Sequence, residues 1–82
     1  MSLNDIRNSN KVIGSKQVKK AVIKGLARKV YLALDAEPHI IGPLRELCRQ
    51  HEVEVEEIEK MEELGDACGI EVGSAAVALI ID

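Results

Sequence analysis

The pattern of apolar and polar residues first indicates a helix over residues 15–24. Three apolar residues occupy positions i, i+3 and i+4, the spacing of one buried helix face: Val18, Ala21 and Val22. Ser15 is expected to cap the first amides of this helix, and Gly25 to end it. A short strand is predicted directly before the helix, over residues 11–13, and Gly14 is expected to stop it.

The rest of the pattern alternates further helices and strands. In chain order it predicts one or two helical turns over residues 3–10, a strand over 29–34 and a turn over 35–38. A helix follows, which Gly42 and Pro43 open and Leu44, Leu47 and Cys48 continue. The last predicted elements are a strand over 52–58, a helix over 60–67 and a strand over 74–81. Pro43 suits the first turn of its helix. The strand 29–34 is mostly apolar, so it is expected to be buried on both faces. The strand 52–58 alternates glutamate and valine, so one of its faces is expected to meet solvent.

Short strands that alternate with helices of about ten residues are typical of the α/β class. We therefore predict a three-layer α/β/α sandwich with a small four-stranded mixed sheet. The 82 residues are expected to form one domain, because two cores would leave too little chain to bury in either. Tyr31 is the only aromatic residue, so the core must be aliphatic, which argues against a site built on aromatic stacking.

The net charge of −3 conceals an uneven distribution along the chain. Residues 1–34 carry eight bases and one acid, giving +7, whereas residues 35–82 carry three bases and thirteen acids, giving −10. No acid occurs between Ile6 and Leu34. Such asymmetry indicates that the basic half presents a surface for a polyanion.

Features of targeting and of disulfide chemistry are missing from the sequence. The first ten residues lack the apolar core of a signal peptide, and the longest apolar run, residues 75–81, is far below the ~20 residues of a membrane-spanning helix. Cys48 and Cys68 are too few for a disulfide framework and lack CxxC spacing. We therefore expect a cytoplasmic protein that does not bind membranes and has reduced, buried cysteines.

An enzyme or a metal site is the first alternative. Cys48 and His51 stand at i and i+3, so they could pair as nucleophile and base, or ligate a metal together with His39 or Cys68. However, Cys48 lies on the apolar stripe of its helix, which favours a core thiol, and the helix dipole alone favours His51 at a helix end. We therefore predict a non-catalytic protein without a metal or cofactor.

The basic helix has the composition of an anion-binding surface. Gln17, Lys20 and Lys24 stand at i, i+3 and i+7 and so share one face. Its N-terminus presents free N–H groups at Ser15, Lys16 and Gln17, which favour a phosphate or an electron-rich base edge. Gly14 before it would let a ligand approach closely. The alternative is a lysine-rich face that meets only solvent.

A second unusual segment runs over residues 64–73. Three glycines stand four apart, at Gly65, Gly69 and Gly73. They are expected to break the chain after a helix and to expose Ile70 and Val72 in a loop. The alternative is a tight helix-to-strand connection without a binding role.

Together these segments resemble the ribosomal protein L7Ae/L30e family of kink-turn RNA-binding proteins. The resemblance spans residues 11–81 and rests on three motifs in order: Gly14-Ser15-Lys16-Gln17-Val18-x-Lys20-Ala21, the strand and turn Val30-Tyr31-Leu32-Ala33-Leu34-Asp35-Ala36-Glu37-Pro38, and Leu64-Gly65-x-Ala67-Cys68-Gly69. It is strongest for the short bacterial branch found in Gram-positive genomes. That branch has Lys-Gln where archaeal and eukaryotic members have Asn-Glu, and it shares the Gly-Ile-Glu-Val-Gly loop.

The resemblance implies a protein that docks a helix N-terminus into tandem sheared G·A pairs of a kinked ribosomal, riboswitch or other regulatory RNA, with the ribosome as a candidate partner. Because a small domain of this kind has few exposed large apolar residues, we expect a monomer. The positions carried over as RNA-binding are Gly14, Ser15, Lys16, Gln17, Lys20, Lys24, Ile70, Glu71 and Val72. Lys16 and Gln17 would face guanine edges, and the loop of residues 70–72 would cover an extruded nucleotide.

One group of residues departs from the family pattern. Glu62, Glu63 and Asp66 stand where this branch is commonly basic, and acids near an RNA backbone reduce counterion release on binding. We therefore expect weaker, salt-sensitive RNA binding, or a protein-interaction module of the same fold whose loop meets a protein.

Overall fold

Strands and helices alternate along the part of the chain that the structure describes, residues 6–7 and 9–81 of a computed structural model. The elements are β1 (Lys11–Ile13), α1 (Ser15–Ile23), β2 (Ala27–Ala33), α2 (Pro38–Gln50), β3 (Glu54–Ile58), α3 (Met61–Cys68) and β4 (Ala76–Ile80). Of the helical turns predicted over residues 3–10, Ile6 and Arg7 are helical, Ser9 and Asn10 are not, and the other positions lie outside the described residues.

The four strands form one mixed sheet in the order β1-β4-β2-β3. β4 pairs antiparallel with both β1 and β2, and β2 pairs parallel with β3. Helices α1 and α2 pack against each other and the sheet, and α3 also packs on the sheet. Successive residues are buried along the two central strands, over 30–33 and 76–79, which requires cover on both faces of the sheet. The predicted three-layer α/β/α sandwich is thus confirmed.

The core between these layers is aliphatic, as the composition requires. Val, Ile, Leu and Ala supply most of the buried side chains, and Tyr31 is fully buried in the central strand. The Lys29 ammonium lies 5.1 Å from the centroid of the Tyr31 ring and ion-pairs with Glu56 at 2.8 Å and Glu54 at 3.6 Å. Cys48 is fully buried, as predicted.

Two predictions about helix starts were wrong. Ser15 does not cap α1, because Gly14 occupies the N-cap position and no side chain hydrogen-bonds to the first amides there. Pro43 does not open α2 but lies inside it, because the helix already begins at Pro38, with Glu37 as N-cap. Pro38 has the fixed φ and missing N–H that suit a first helical position. The turn predicted over residues 35–38 therefore covers residues 34–37.

The predicted strands were correct in kind, and β1 also has the predicted ends, but the other three differ at one or both ends: β3, for example, begins at Glu54 instead of residue 52. β2 begins two residues earlier than expected, and Arg28 forms an irregularity in its pairing with β4. The last strand is shorter than predicted, because the residues before it continue a loop. Gly25 ends α1 as predicted: its N–H donates to the Val22 carbonyl at 3.1 Å, and the Leu26 N–H donates to the Ala21 carbonyl at 2.9 Å.

Candidate functional site

The junction between β1 and α1 is formed by Gly14. Its φ of 103 and ψ of 148 lie in a region that side chains rarely adopt. The Gly14 N–H donates to the Ala76 carbonyl at 2.9 Å, and its own carbonyl accepts from the Val18 N–H at 3.0 Å. A Cβ built on Gly14 would meet nothing within 4 Å. The first N–H groups of α1 have no side-chain cap, and Lys16 and Gln17 in its first turn are exposed.

The loop of residues 69–75 between α3 and β4, called here the α3–β4 loop, folds back along α3. A Cβ on Gly65 would lie 2.1 Å from the Val72 carbonyl oxygen, and a Cβ on Gly73 would lie 2.9 Å from the Met61 Cβ. The Ser74 N–H also donates to the Met61 carbonyl, at 3.1 Å. The glycines therefore do more than break the chain, because they let helix and loop touch backbone to backbone.

One carbonyl group joins this loop to the start of α1. The Ser74 hydroxyl donates to the Ala76 carbonyl at 2.9 Å, and the Gly14 N–H donates to the same oxygen at 2.9 Å. Two segments about sixty residues apart in sequence are thus fixed to one point at the end of the sheet. The start of α1 and the end of the α3–β4 loop are therefore joined through β4.

A third segment, the turn between β2 and α2, lies at the same end. The Asp35 carboxylate accepts a hydrogen bond from the Met61 N–H at 2.8 Å, so it satisfies one of the free amides at the start of α3. The Ala33 N–H donates to the Ala75 carbonyl at 2.9 Å. Sequence reasoning treated Asp35 only as part of a turn, and the anchoring of α3 by this residue was missed.

The bases of α1 are free of ion pairs within the described residues. Lys16, Lys20 and Lys24 are exposed, and none of them joins the ion pairs found in residues 6–7 and 9–81, whose cationic members are Lys29, Arg45, Arg49 and His39. The chain has fourteen acids for eleven Lys and Arg, so acids are not scarce. The positive charge of α1 is therefore available to a ligand.

The basic face of α1 is arranged as the spacing predicted. Gln17, Lys20 and Lys24 line one shallow groove of about 180 Å³, whose other lining residues are Val12, Ala21, Leu26 and Ile80. Lys16 and Lys19 lie on the other flank of the helix, facing α2. The predicted cationic face thus exists, and it is amphipathic.

The side chains of the α3–β4 loop extend outward from this support. Val72 is 71% exposed, the most exposed large apolar side chain in the described part of the chain. Glu71 is exposed and Ile70 is half-buried. The predicted exposure is thus confirmed for Val72, whereas Ile70 is only half-buried, so Val72 forms the apolar tip of the loop.

The acids of α3 are exposed but unequal in their distance from the loop. A helix turns by about 100° per residue, so Glu63 and Asp66 lie about 160° and 100° from the side of Gly65, where the loop packs. Glu62 lies only about 60° from that side. Glu62 is therefore the acid of α3 that most directly flanks the site.

The groups considered for catalysis are differently placed. Burial raises the pKa of the Cys48 thiol, so the thiolate needed of a nucleophile is disfavoured. Burial also raises the pKa of the Cys68 thiol, with Lys11 opposing it. The described residues contain no group of three or more His, Cys, Asp or Glu side chains arranged to hold a metal ion. No helix in that part of the chain is long and apolar enough to span a membrane.

Comparison with known proteins identifies the family. The sequence profile of the ribosomal protein L7Ae/L30e/S12e/Gadd45 family matches residues 3–82. The chain belongs to this family. Within the L7Ae/L30e/S12e/Gadd45 family, it is 41% identical over 71 residues to RNA-binding protein TTE2299 of Caldanaerobacter subterraneus subsp. tengcongensis, covering 87% of each chain.

Two further L7Ae/L30e/S12e/Gadd45-type proteins are similar. The large ribosomal subunit protein eL8 of Halobacterium salinarum is 41% identical over 68 residues, which cover 82% of this chain and 57% of that protein. The solved structure of the Giardia lamblia 15.5kD RNA binding protein superimposes with a TM-score of 0.92 at 26% identity, covering 98% of this chain and 71% of the other. The family resemblance inferred from the three motifs is thereby confirmed.

Proposed function

We propose that this protein binds RNA non-catalytically through the end of the sheet where Gly14, α1 and the α3–β4 loop meet, and that it recognises a kink-turn. The observation that carries the proposal is the unpaired basic face of α1, held beside an apolar loop by the shared Ala76 carbonyl. Relatives that are named as RNA-binding proteins support the prediction that the basic face binds a polyanion.

Each part of the site has a distinct role in this proposal. The free N–H groups from Ser15 onward and the helix dipole attract phosphate or base edges. We assign the guanine edges to Lys16 and Gln17, which are exposed in the first turn of α1, because amide and ammonium groups can read purine acceptors. Lys20 and Lys24 continue along the helix toward the phosphates. Gly14 supplies the open approach.

The α3–β4 loop serves as the apolar cover in the same proposal. Val72 and Ile70 would shield a base that has left its stack, while Glu71 faces solvent beside them. This recognition relies on shape and base edges, which suits a chain whose one aromatic side chain is buried. We propose that a monomer binds ribosomal, riboswitch or other regulatory RNAs in the cytoplasm, with the ribosome as a candidate partner.

The decisive experiment is a titration against a short kink-turn RNA and a matched duplex without the G·A pairs, at two salt concentrations. We expect tighter binding to the kink-turn, with a logarithmic salt slope of about −0.9 for each duplex phosphate contacted. Equal, weak affinity for the two RNAs would contradict specific recognition.

Two α1 variants separate base reading from charge. Gln17→Ala is expected to lower the preference for the kink-turn over the duplex, because it removes a base-edge contact. Lys24→Ala is expected to weaken both RNAs alike and to reduce the salt slope. Unchanged discrimination in Gln17→Ala would show that the base contacts are wrongly assigned.

A second candidate function is favoured by the exposed acids of α3. Glu62, Glu63 and Asp66 would repel a phosphate backbone, so the α3–β4 loop could instead meet a protein. A pull-down that resists ribonuclease but is lost on changing Ile70 or Val72 would support this candidate.

A further inference from the structure

A second surface lies on the other flank of α1, where it packs against α2. Here a groove of about 370 Å³, called the α1–α2 groove, is bordered by Lys16 and Lys19 on one side and by Ile40, Pro43, Leu44 and Leu47 on the other. Its volume falls at the lower end of the roughly 300–1,000 Å³ of ligand pockets. It can therefore hold a few aliphatic side chains.

The charges around this groove are of one sign. Helix α1 contains no acid, and the single acid of α2, Glu46, has its carboxylate engaged by Arg49 and Gln50. Within the described residues, Lys16 and Lys19 have no ion-pair partner. A ligand that fills the groove would therefore gain by placing carboxylates along the α1 side.

Pro43 is a further sign that this surface is used. It lies inside α2, where a proline removes the bond to the carbonyl four residues earlier and costs about 3 kcal/mol. The ring is exposed and borders the groove, so it contributes little to the core. A residue that weakens its own helix while shaping a surface groove is expected at binding sites.

We propose that the α1–α2 groove docks an acidic amphipathic segment of a partner protein, with aliphatic side chains against Leu44 and Leu47 and carboxylates against Lys19, the groove lysine that has no role in the RNA-binding proposal. A protein is favoured over RNA because one side of the groove is wholly aliphatic. Unstacked bases are usually held by aromatic rings or by arginine planes, and neither borders this groove. Grooves between helices commonly receive the apolar face of a third helix.

The proposal is tested with a synthetic helical peptide that carries leucines at i, i+3, i+4 and i+7 and glutamates on either side of them. The control peptide has lysine in place of every glutamate. Binding is followed by NMR, through the methyl groups of Leu44 and Leu47, and by calorimetry, without RNA. We expect the glutamate peptide alone to shift these methyl signals, with affinity that falls as salt rises.

Two protein variants locate the binding. Lys19→Glu reverses an exposed charge beside the groove and is expected to weaken the peptide about tenfold, the effect of roughly 1.4 kcal/mol. Arg28→Glu makes the same charge change at an exposed site away from the groove and is expected to alter affinity less than twofold. Leu47→Ala, checked for folding by circular dichroism, is expected to weaken the peptide as well.

Three results would overturn the proposal. They are equal binding of the two peptides, unmoved Leu44 and Leu47 methyl signals at millimolar glutamate peptide, and equal loss of binding in Lys19→Glu and Arg28→Glu. Movement of these methyl signals by kink-turn RNA but not by the peptide would assign the groove to RNA instead. Because the peptide arms contain no RNA, their failure is distinguishable from failure of the RNA-binding proposal.

Discussion

The contact between α3 and the α3–β4 loop can be tested by replacing Gly65 with alanine. The added Cβ would lie 2.1 Å from the Val72 carbonyl oxygen, whereas ordinary contacts begin at 3.4 Å. Helix and loop must therefore separate by about 1.3 Å. The obstacle is backbone, so no rotation of a side chain can relieve it.

The expected change in stability combines two opposing effects. Alanine in a helix is more favourable than glycine by about 0.5–1 kcal/mol. Overpacking typically costs about 1–3 kcal/mol, so Gly65→Ala is expected to be destabilising by up to about 2 kcal/mol. Because 1 kcal/mol moves the melting temperature of a domain this size by about 4–8 °C, thermal unfolding followed by circular dichroism can measure the effect.

Gly42 provides the matched control, because it is also a helical glycine but a Cβ there would meet nothing within 4 Å. Gly42→Ala is expected to change the melting temperature less than Gly65→Ala, because the Pro43 ring disfavours a Cβ at the helical residue before it and so offsets part of the helix preference for alanine. Gly65→Ala should also reduce the preference for kink-turn RNA, because it displaces Val72. Equal stabilisation by the two alanines would refute the close approach of loop and helix.

Three other changes have expected outcomes. Glu52 has a positive φ of 57 at the end of α2, so Glu52→Gly is expected to raise the free energy of unfolding in urea by about 0.5–1 kcal/mol; a similar gain in Glu52→Ala would point to charge instead. The hydrogen bond to Glu56 raises the pKa of Lys29. The stability contributed by this contact is thus complete below a pH of about 10.4 and is lost as pH rises past the raised pKa, so Lys29→Met should show a smaller fall of melting temperature in alkali than the unchanged protein. Glu62→Lys is expected to tighten RNA binding about two- to fivefold at low salt, corresponding to about 0.5–1 kcal/mol. Glu63→Lys, on the far side of α3, should change RNA affinity less. A larger effect of Glu63→Lys in a titration would contradict the orientation of this helix.

Local patterns in the sequence were sufficient to predict the first segment of the proposed RNA-binding site. Residues 11–25 form the strand, the glycine junction and the basic helix that their spacing indicates, because each of these features depends on near neighbours in sequence. The predicted start of α2 was wrong because both Pro38 and Pro43 suit the first turn of a helix. The backbone conformation around Glu37 decides which of the two prolines begins the helix, and the pattern of apolar residues does not reveal that conformation.

Features that depend on tertiary contacts could not be predicted. The meeting of Gly14 and Ser74 on the Ala76 carbonyl requires the strand order, which no single segment encodes. The reason for Gly65 is a backbone that returns from later in the chain. The α1–α2 groove likewise arises from the packing of two helices, and Lys19 alone gave no signal of it.

The position of β4 has a consequence for the order in which the protein becomes active. β4 is last among the described strands in the chain but lies between β1 and β2 in the sheet, and the Ala76 carbonyl belongs to it. A polypeptide that lacks β4 already carries the basic residues of α1 and can attract RNA by charge. Its loop and its helix start can be fixed together only after β4 has been synthesised and inserted. Selective recognition would therefore follow the insertion of β4, whereas a chain that lacks β4 would attract RNA by charge alone.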